Sequence, residues 1–251
     1  MFFTSEAIVL KRTKLSDNDM ILTLFTKKAG KMDAIASGAR HPKSRFASGA
    51  HPFVLGRYNL STGGNLAKVT SIDVHESFYH LREDLSKLAY GSWFLELADA
   101  VCVEGVTNHR LFNDLIESIH VLLEDDMNAD QIKVAYEMKL LDSTGIRPIL
   151  NECIHCGATG DRKWQFSVPE GGIVCENCTG NFESLFRMGK TLPKIMMYFL
   201  LKDMRIISKT KIHDSYIKKL DIILNAYLRH HLDKNNFKSL DFLNSIRNTH
   251  E

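Results

Sequence analysis

Four of the five cysteines fall in a short stretch: Cys153-Ile-His-Cys156, an 18-residue interval, then Cys175-Glu-Asn-Cys178. A thiolate is a soft ligand, and two thiols separated by two residues reach one ion from a single tight turn. Two such pairs close a tetrahedral shell and leave no position for water. The chemistry this spacing offers is therefore structural Zn2+ rather than catalytic zinc. Binding energy on the order of 10–16 kcal/mol would fold the insert around the ion. A redox dithiol and free thiols without a role are the competing readings, and His155, inside the first knuckle, is a potential replacement for one cysteine. Between the pairs, Lys163–Val168 reads as a strand and Pro169–Gly172 as a turn. That is the pattern of a zinc ribbon at about residues 150–180. Cys102 lies on the apolar side of a helical pattern and reads as a small buried side chain.

A second group of residues suits phosphate. A strand ending Ala36-Ser-Gly-Ala-Arg40 delivers a loop, His41-Pro-Lys-Ser-Arg-Phe46, that holds Arg40, Lys43 and Arg45. Lys27, Lys28 and Lys31 precede it. Cations neutralise phosphates and rings stack on bases without regard to sequence, so a barrel face of this kind fits single-stranded nucleic acid. Phe46 either supplies such a ring or folds back into the core.

The elements that must carry these groups change character near residue 80. Before it come five short strands: Glu6–Thr13, Met20–Thr26, Met32–Ala36, Phe53–Leu60 and Leu66–Val74. Turns at Ser16–Asp19 and Thr62–Asn65 separate some of them. Five strands in this length predict a small barrel, of OB-fold or SH3-like type. After it, apolar residues recur at helical spacing from Leu81 to Val101, from Leu111 to Leu123 behind a cap at Asn108, and from about Asp130 to Gly145. Helices resume around Pro193–Met204 and His213–His231. The residues from about Asn235 are polar and read as a frayed end, and His230-His231 as a solvated helix end.

The predicted fold class is α+β. A five-stranded barrel occupies 1–80, and a helical domain with an inserted four-cysteine ribbon occupies 81–251. Hydrophobic residues make up 44% of the chain and charged residues 25%, the balance of a soluble globular protein. No apolar run approaches the roughly 20 residues that span a bilayer, and the first residues do not read as a signal peptide. A cytoplasmic location with no membrane role is expected. Net charge is unevenly spread: +5 over 1–80, −10 over 81–186 and +7 over 187–251. A polyanion favours the two ends, although blocks of this size are also ordinary solvated faces.

The start Ser5-Glu-Ala-Ile-Val-Leu-Lys11, the Gly30-Lys31 turn, the Ala36–Arg40 strand end and the Lys43-Ser-Arg-Phe46 loop resemble the RecO family of bacterial recombination mediators. So does a helical body interrupted by a four-cysteine knuckle, approached through Gly145-Ile-Arg-Pro148. The resemblance implies an OB-fold that binds single- and double-stranded DNA, and annealing of complementary strands. It also implies binding to RecR and to the acidic C-terminal tail of single-stranded-DNA-binding protein (SSB), and help in loading RecA. It puts Arg40, Lys43 and Arg45 on the family's DNA-binding loop, and extends that role to Lys27, Lys28, Lys31 and Arg57. Some members lack part of the cysteine set, whereas this chain has all four.

An acidic tail needs a hydrophobic notch beside cations. Lys190, Lys194, Lys202, Arg205, Lys209 and Lys211 near Met196, Met197, Tyr198 and Phe199 offer one, unless those side chains are core. Gly189-Lys-Thr191 mimics the end of a phosphate loop, but position 184 is Ser where that loop requires glycine. The carboxylates Asp17/Asp19 and Glu124–Asp126 read as turns or helix ends rather than a nuclease site. Hydrolase elbows and zinc-protease helices are absent from the sequence. A non-enzymatic binding role is expected. The alternatives are a zinc-ribbon RNA-binding factor and a thiol-redox protein.

Overall fold

The computed structural model describes residues 2–63 and 66–249. The turn expected at Thr62–Asn65 lies partly outside the described residues, at Gly64 and Asn65. Five strands close into a barrel in the order β1-β2-β3-β5-β4: β1 (Phe2–Lys14), β2 (Met20–Thr26), β3 (Gly30–Ala36), β4 (Leu55–Ser61) and β5 (Ala67–Glu76). A parallel pair, Ala34 with Ala67 and Ile35 with Lys68, joins β3 to β5. That order is the OB arrangement, not an SH3-like one. Alternation carries one face inward: Ala7 and Val9, Leu22 and Leu24, Ala34 and Ala36, and Tyr58 and Leu60 make one buried cluster. The segment between β3 and β4 adds Phe46, Ala50 and Val54 to it. The buried Tyr58 hydroxyl donates to the Gly49 carbonyl at 2.8 Å and pins that segment.

Two compact units divide the chain: Met1–Leu115 with Ser239–Glu251, and Ile116–Lys238. The first holds the barrel, helix α1 (Leu85–Val101) and most of a C-terminal helix. Asp84 caps α1 by accepting from the Lys87 amide at 3.0 Å. Helix α2 (His109–Leu123) starts at the expected cap, where Asn108 accepts from the Leu111 amide at 2.9 Å.

The second unit centres on α3 (Ala129–Ser143), whose residues 131–141 are all buried. Around it lie α4 (Leu192–Leu201), α5 (Met204–Lys209) and α6 (Asp214–His231). The helix expected around Pro193–Met204 is α4, which ends at Leu201, and α5 beyond it was not expected. The chain is extended at Lys202 and Asp203, and the Asp203 carbonyl restarts the helix by accepting from the Ile206 and Ile207 amides. A three-stranded antiparallel sheet of β6 (Trp164–Ser167), β7 (Gly172–Cys175) and β8 (Phe186–Gly189), with β6 central, forms the ribbon. His231 leans on it: its Nε2 donates to the Val168 carbonyl at 2.8 Å, so only His230 is the exposed helix end expected for both.

The tail is not frayed. Helix α7 (Lys238–Thr249) buries Leu240 and Leu243. Its start is capped from far away in sequence, because Glu96 Oε2 accepts from the Ser239 amide at 2.8 Å and from its hydroxyl at 2.5 Å. Arg247 Nε donates to the Tyr90 hydroxyl at 3.2 Å. A cap supplied by another helix leaves no trace in local composition.

Candidate metal centre and nucleic-acid interface

The ribbon brings Cys153, Cys156, Cys175 and Cys178 together, with all four sulfurs within 4.8 Å of one another. Each pair is a tight turn. The Gly157 amide donates to the Cys153 carbonyl at 2.9 Å, and the Cys178 amide to the Cys175 carbonyl at 3.0 Å. Gly157 takes the positive φ of 69° that closes the first turn. Strand pairing then sets the two turns side by side, with Trp164 opposite Cys175 and the Ile154 amide on the Ile173 carbonyl at 3.0 Å. Cys156 and Cys175 sulfurs lie 3.7 Å apart. A tetrahedron with metal–sulfur bonds of about 2.3 Å has edges of about 3.8 Å.

The four thiols act strongly on one another. Burial opposes a Cys153 thiolate, but the amides of Cys175, Cys156 and His155 and the Cys156 side chain hold the thiol down to about 6. Cys178 is pushed the other way, to about 12, chiefly by its contact with Cys156 and then by burial. Four thiols this close cannot all ionise unless a positive charge lies between them. His155 is exposed and stands edge-on to Phe182, so the four sulfurs form the set without it. Cys102 is buried, with its thiol raised to about 12 by desolvation, and is inert.

The seven cations predicted for DNA do not form one patch. Arg40 shares a cleft of about 440 Å³ with Arg12, Lys14, His41 and His51. The β1–β2 turn braces it: Arg40 donates to the Ser16 carbonyl at 3.0 Å, and Asp19 accepts from the Gly38 amide at 2.8 Å. Lys43 and Arg45 are exposed on the same loop. Phe46 is only 4% exposed and belongs to the barrel core, so it is not a stacking ring. The Arg45 guanidinium lies 4.7 Å from its centroid.

Lys27, Lys28 and Arg57 line a different cleft of about 300 Å³ with Thr4, Ser5, Glu6 and His75. Glu6 and Arg12 are separated along β1 by about 20 Å at ~3.3 Å per residue. Lys27 is paired there with Glu6 at 3.2 Å. Lys31 joins neither cleft: its ammonium donates to the Asp99 carbonyl at 2.7 Å and lies 3.4 Å from the Asp99 carboxylate.

Sequence reasoning missed Arg12, Lys14, His41 and His51 as members of the Arg40 cleft. The crowding of Lys11, Arg12 and Lys14 at the end of one strand was the available signal. His51 carries no such signal, since only the fold sets its Nδ1 2.9 Å from Arg12.

Of the notch expected near 190–211, Met196 and Phe199 are fully buried. Lys190 and Lys194 both bind Asp161, at 3.1 and 3.0 Å, and hold its carboxyl below the usual carboxylate range. Leu201 and Ile206 are the apolar residues exposed there, beside exposed Lys202, Arg205 and Lys209.

Two family models match the chain: Recombination protein O N terminal over residues 1–78, and Recombination protein O C terminal over residues 82–241. A DNA repair protein RecO of Alkaliphilus metalliredigens is 37% identical over 246 residues, which cover 98% of this chain and 100% of the relative. The DNA repair protein RecO of a Thermoanaerobacter species is 32% identical over 97% of this chain and 98% of its own. That of Symbiobacterium thermophilum is 31% identical over 98% of each. No helix is long and apolar enough to cross a membrane, among the described residues. With an OB barrel, a helical part and a four-cysteine cluster in the order the models match, the chain belongs to the RecO family of DNA repair proteins.

Proposed function

We propose that the protein is a recombination mediator that works by binding rather than turnover. It engages single- and double-stranded DNA and anneals complementary strands. With RecR, it helps load RecA onto single strands coated by SSB, in the cytoplasm. The observation that carries this reading is the cleft of Arg12, Lys14, Arg40, His41 and His51, with Lys43 and Arg45 exposed beside it on an OB barrel. OB-folds bind oligonucleotides along the strand 2–3 face and its flanking loops, and Arg40 is braced here against the β1–β2 loop. Cations on that rim neutralise phosphates of both strands and lower their mutual repulsion, so complementary bases can meet. Lys27, Lys28 and Arg57 offer a second, separate cationic cleft on the barrel, and Lys31 contributes through the field rather than by contact. In this reading the barrel segment, residues 1–80, is the part that binds DNA, and residues 81–251 are the helical part that binds partners. The acidic SSB tail would dock where Leu201 and Ile206 stand exposed among Lys202, Arg205 and Lys209.

The metal is inferred to be structural Zn2+. Four sulfurs fill a tetrahedral shell with no open position, the arrangement of structural zinc sites.

The test is annealing of two complementary labelled oligonucleotides over a salt series without nucleotide, with an RNA pair as control. Acceleration that fades as salt rises is expected. Failure both to accelerate annealing and to bind single strands would refute the reading, and a clear preference for RNA at matched salt would favour an RNA-binding factor.

A further inference from the structure

The Arg40 cleft contains a histidine that is placed to be read out by whatever enters it. His51 is half-buried at its rim, and its Nδ1 accepts from an Arg12 guanidinium nitrogen at 2.9 Å. Arg82 reaches toward the same corner, where it donates to the Pro52 carbonyl at 3.1 Å. The charged and titratable groups of the cleft and around the imidazole are Arg12 and Lys14 from β1, Arg40 and His41 from the loop, and Arg82 from the turn before α1, with Asp17 of the β1–β2 turn 2.9 Å from Lys14 and 3.9 Å from Arg40. A ring in that company is held neutral: burial first, then Arg12, then Arg82 lower its proton affinity. While Arg12 donates to Nδ1, that nitrogen cannot carry a proton.

We infer that a phosphodiester seated in this cleft recruits a proton to His51, so that polyanion binding and protonation of this one side chain are linked. This rests on the nucleic-acid reading above. The phosphate draws the Arg12 donors to its own oxygens and releases Nδ1. Its negative charge then offsets the surrounding cations, and the imidazolium becomes a further donor to it. No bond is made or broken beyond one proton taken from solvent. Linkage fixes the sign. The ligated form binds more protons than the free form, so affinity rises as pH falls, by up to about tenfold per pH unit for one proton. The window opens near the ordinary histidine value and extends below it, because the free cleft holds His51 under that value. Annealing driven by this cleft would quicken in the same direction.

The chemistry is common to a DNA backbone and to free phosphate, so both are used as probes on the full-length protein. Binding of an oligothymidylate of about 12 nucleotides is measured from pH 8 to pH 5.5 at constant salt, with inorganic phosphate in a parallel series. Calorimetry in two buffers of different ionisation enthalpy counts the protons. The expected result is uptake approaching one proton per site with the oligonucleotide and an affinity that rises toward low pH. His51→Gln, which keeps an acceptor for Arg12, should lose most of that slope. His230→Gln, in the other unit, should leave it intact. Histidine ring NMR of the unaltered protein makes the readout independent of any variant, and His51 should titrate at higher pH with the oligonucleotide bound.

Retention of the full slope in His51→Gln, or an unmoved His51 titration, overturns the inference and leaves the nucleic-acid reading standing. Absence of oligonucleotide binding at every pH overturns both. Proton-linked binding of inorganic phosphate but not of the oligonucleotide would make the cleft a small-anion site and overturn the inference as stated.

Discussion

Lys133→Met is the most informative single change in the helical unit. Lys133 sits on α3 with its side chain fully buried, as is that of Glu137 one turn later. Its ammonium contacts Glu137 Oε1 at 2.5 Å, Asp221 Oδ1 at 2.5 Å and Asn225 Oδ1 at 3.3 Å. Three acceptors meet the three N–H donors of the ammonium, so the cation is fully satisfied. Methionine keeps the length of the side chain and deletes the charge, which leaves two carboxylates facing each other in the core. Removing one partner of a buried pair costs about 3–5 kcal/mol, against a whole-domain stability of roughly 5–15 kcal/mol.

Hydrogen exchange of the α3 amides is the suitable assay, because a chain with two compact units need not unfold in one step. Exchange through opening of α3 should accelerate by roughly 10²- to 10³-fold or more. The deficit should narrow as pH falls, since protonation of Glu137 or Asp221 relieves the repulsion in the variant while it removes a favourable contact in the parent. Adding Glu137→Met and Asp221→Leu should recover most of the loss, because an apolar replacement of a buried ionic group is often neutral or stabilising. A single variant within about 1 kcal/mol of the parent, or a deficit that widens toward low pH, would refute this account.

Arg40→Ala with Arg45→Ala should weaken single-strand binding across all sequences and flatten the salt slope by about 0.7 for each phosphate no longer neutralised; an unchanged slope removes the loop from the interface. Gly30→Ala should cost about 2 kcal/mol or more in a thermal or urea melt, because Gly30 has φ +65° and a Cβ there would lie 2.0 Å from the Val106 carbonyl oxygen. Gly38→Ala shares the positive φ of 71° but meets nothing within 4 Å, so it should cost only about 1–2 kcal/mol, and equal losses would discredit the close-approach argument. Cys175→Ser should abolish stoichiometric metal binding and destabilise the helical unit while the barrel stays folded; unchanged stability without metal would sink the structural role.

The barrel was legible because its determinants are local. A short apolar run in β2 and alternating apolar residues in β5, each set off by turn residues, announce strands, and Asn108 announces a helix start through its own side chain. The metal cluster was legible for the same reason, since two tight turns need only their own residues. What escaped depends on distant partners. Helix α7 looks like a polar end because its cap, Glu96, belongs to α1. Phe46 looks equally fit to stack on a base or fill a core until the segment between β3 and β4 is seen beneath the barrel. Met196 and Phe199 have helical spacing whether they face a partner or α3 itself, and burial decides for the core. The break between α4 and α5 turns on two extended residues, Lys202 and Asp203, neither of which is a helix breaker by type.

Charge shows the same limit most sharply, and it separates two residues that read alike. Lys31 and Arg45 are both cations close to the barrel's basic loop. Lys31 already spends its ammonium on Asp99, through a carbonyl bond of 2.7 Å and a carboxylate at 3.4 Å, with both side chains about three-quarters covered. Among the described residues Arg45 forms no ion pair, and its guanidinium lies over the Phe46 ring in solvent reach. A phosphate that takes Lys31 must first break its tie to α1, whereas Arg45 offers its full charge. Lys31→Ala should therefore lower the melting temperature of the barrel unit and leave the salt dependence of single-strand binding nearly unchanged. Arg45→Ala should do the reverse, flattening the slope by about 0.7 at little cost in stability. Measured side by side, an equal flattening by the two variants would mean that Asp99 does not hold Lys31 away from DNA and that net charge alone sets the affinity.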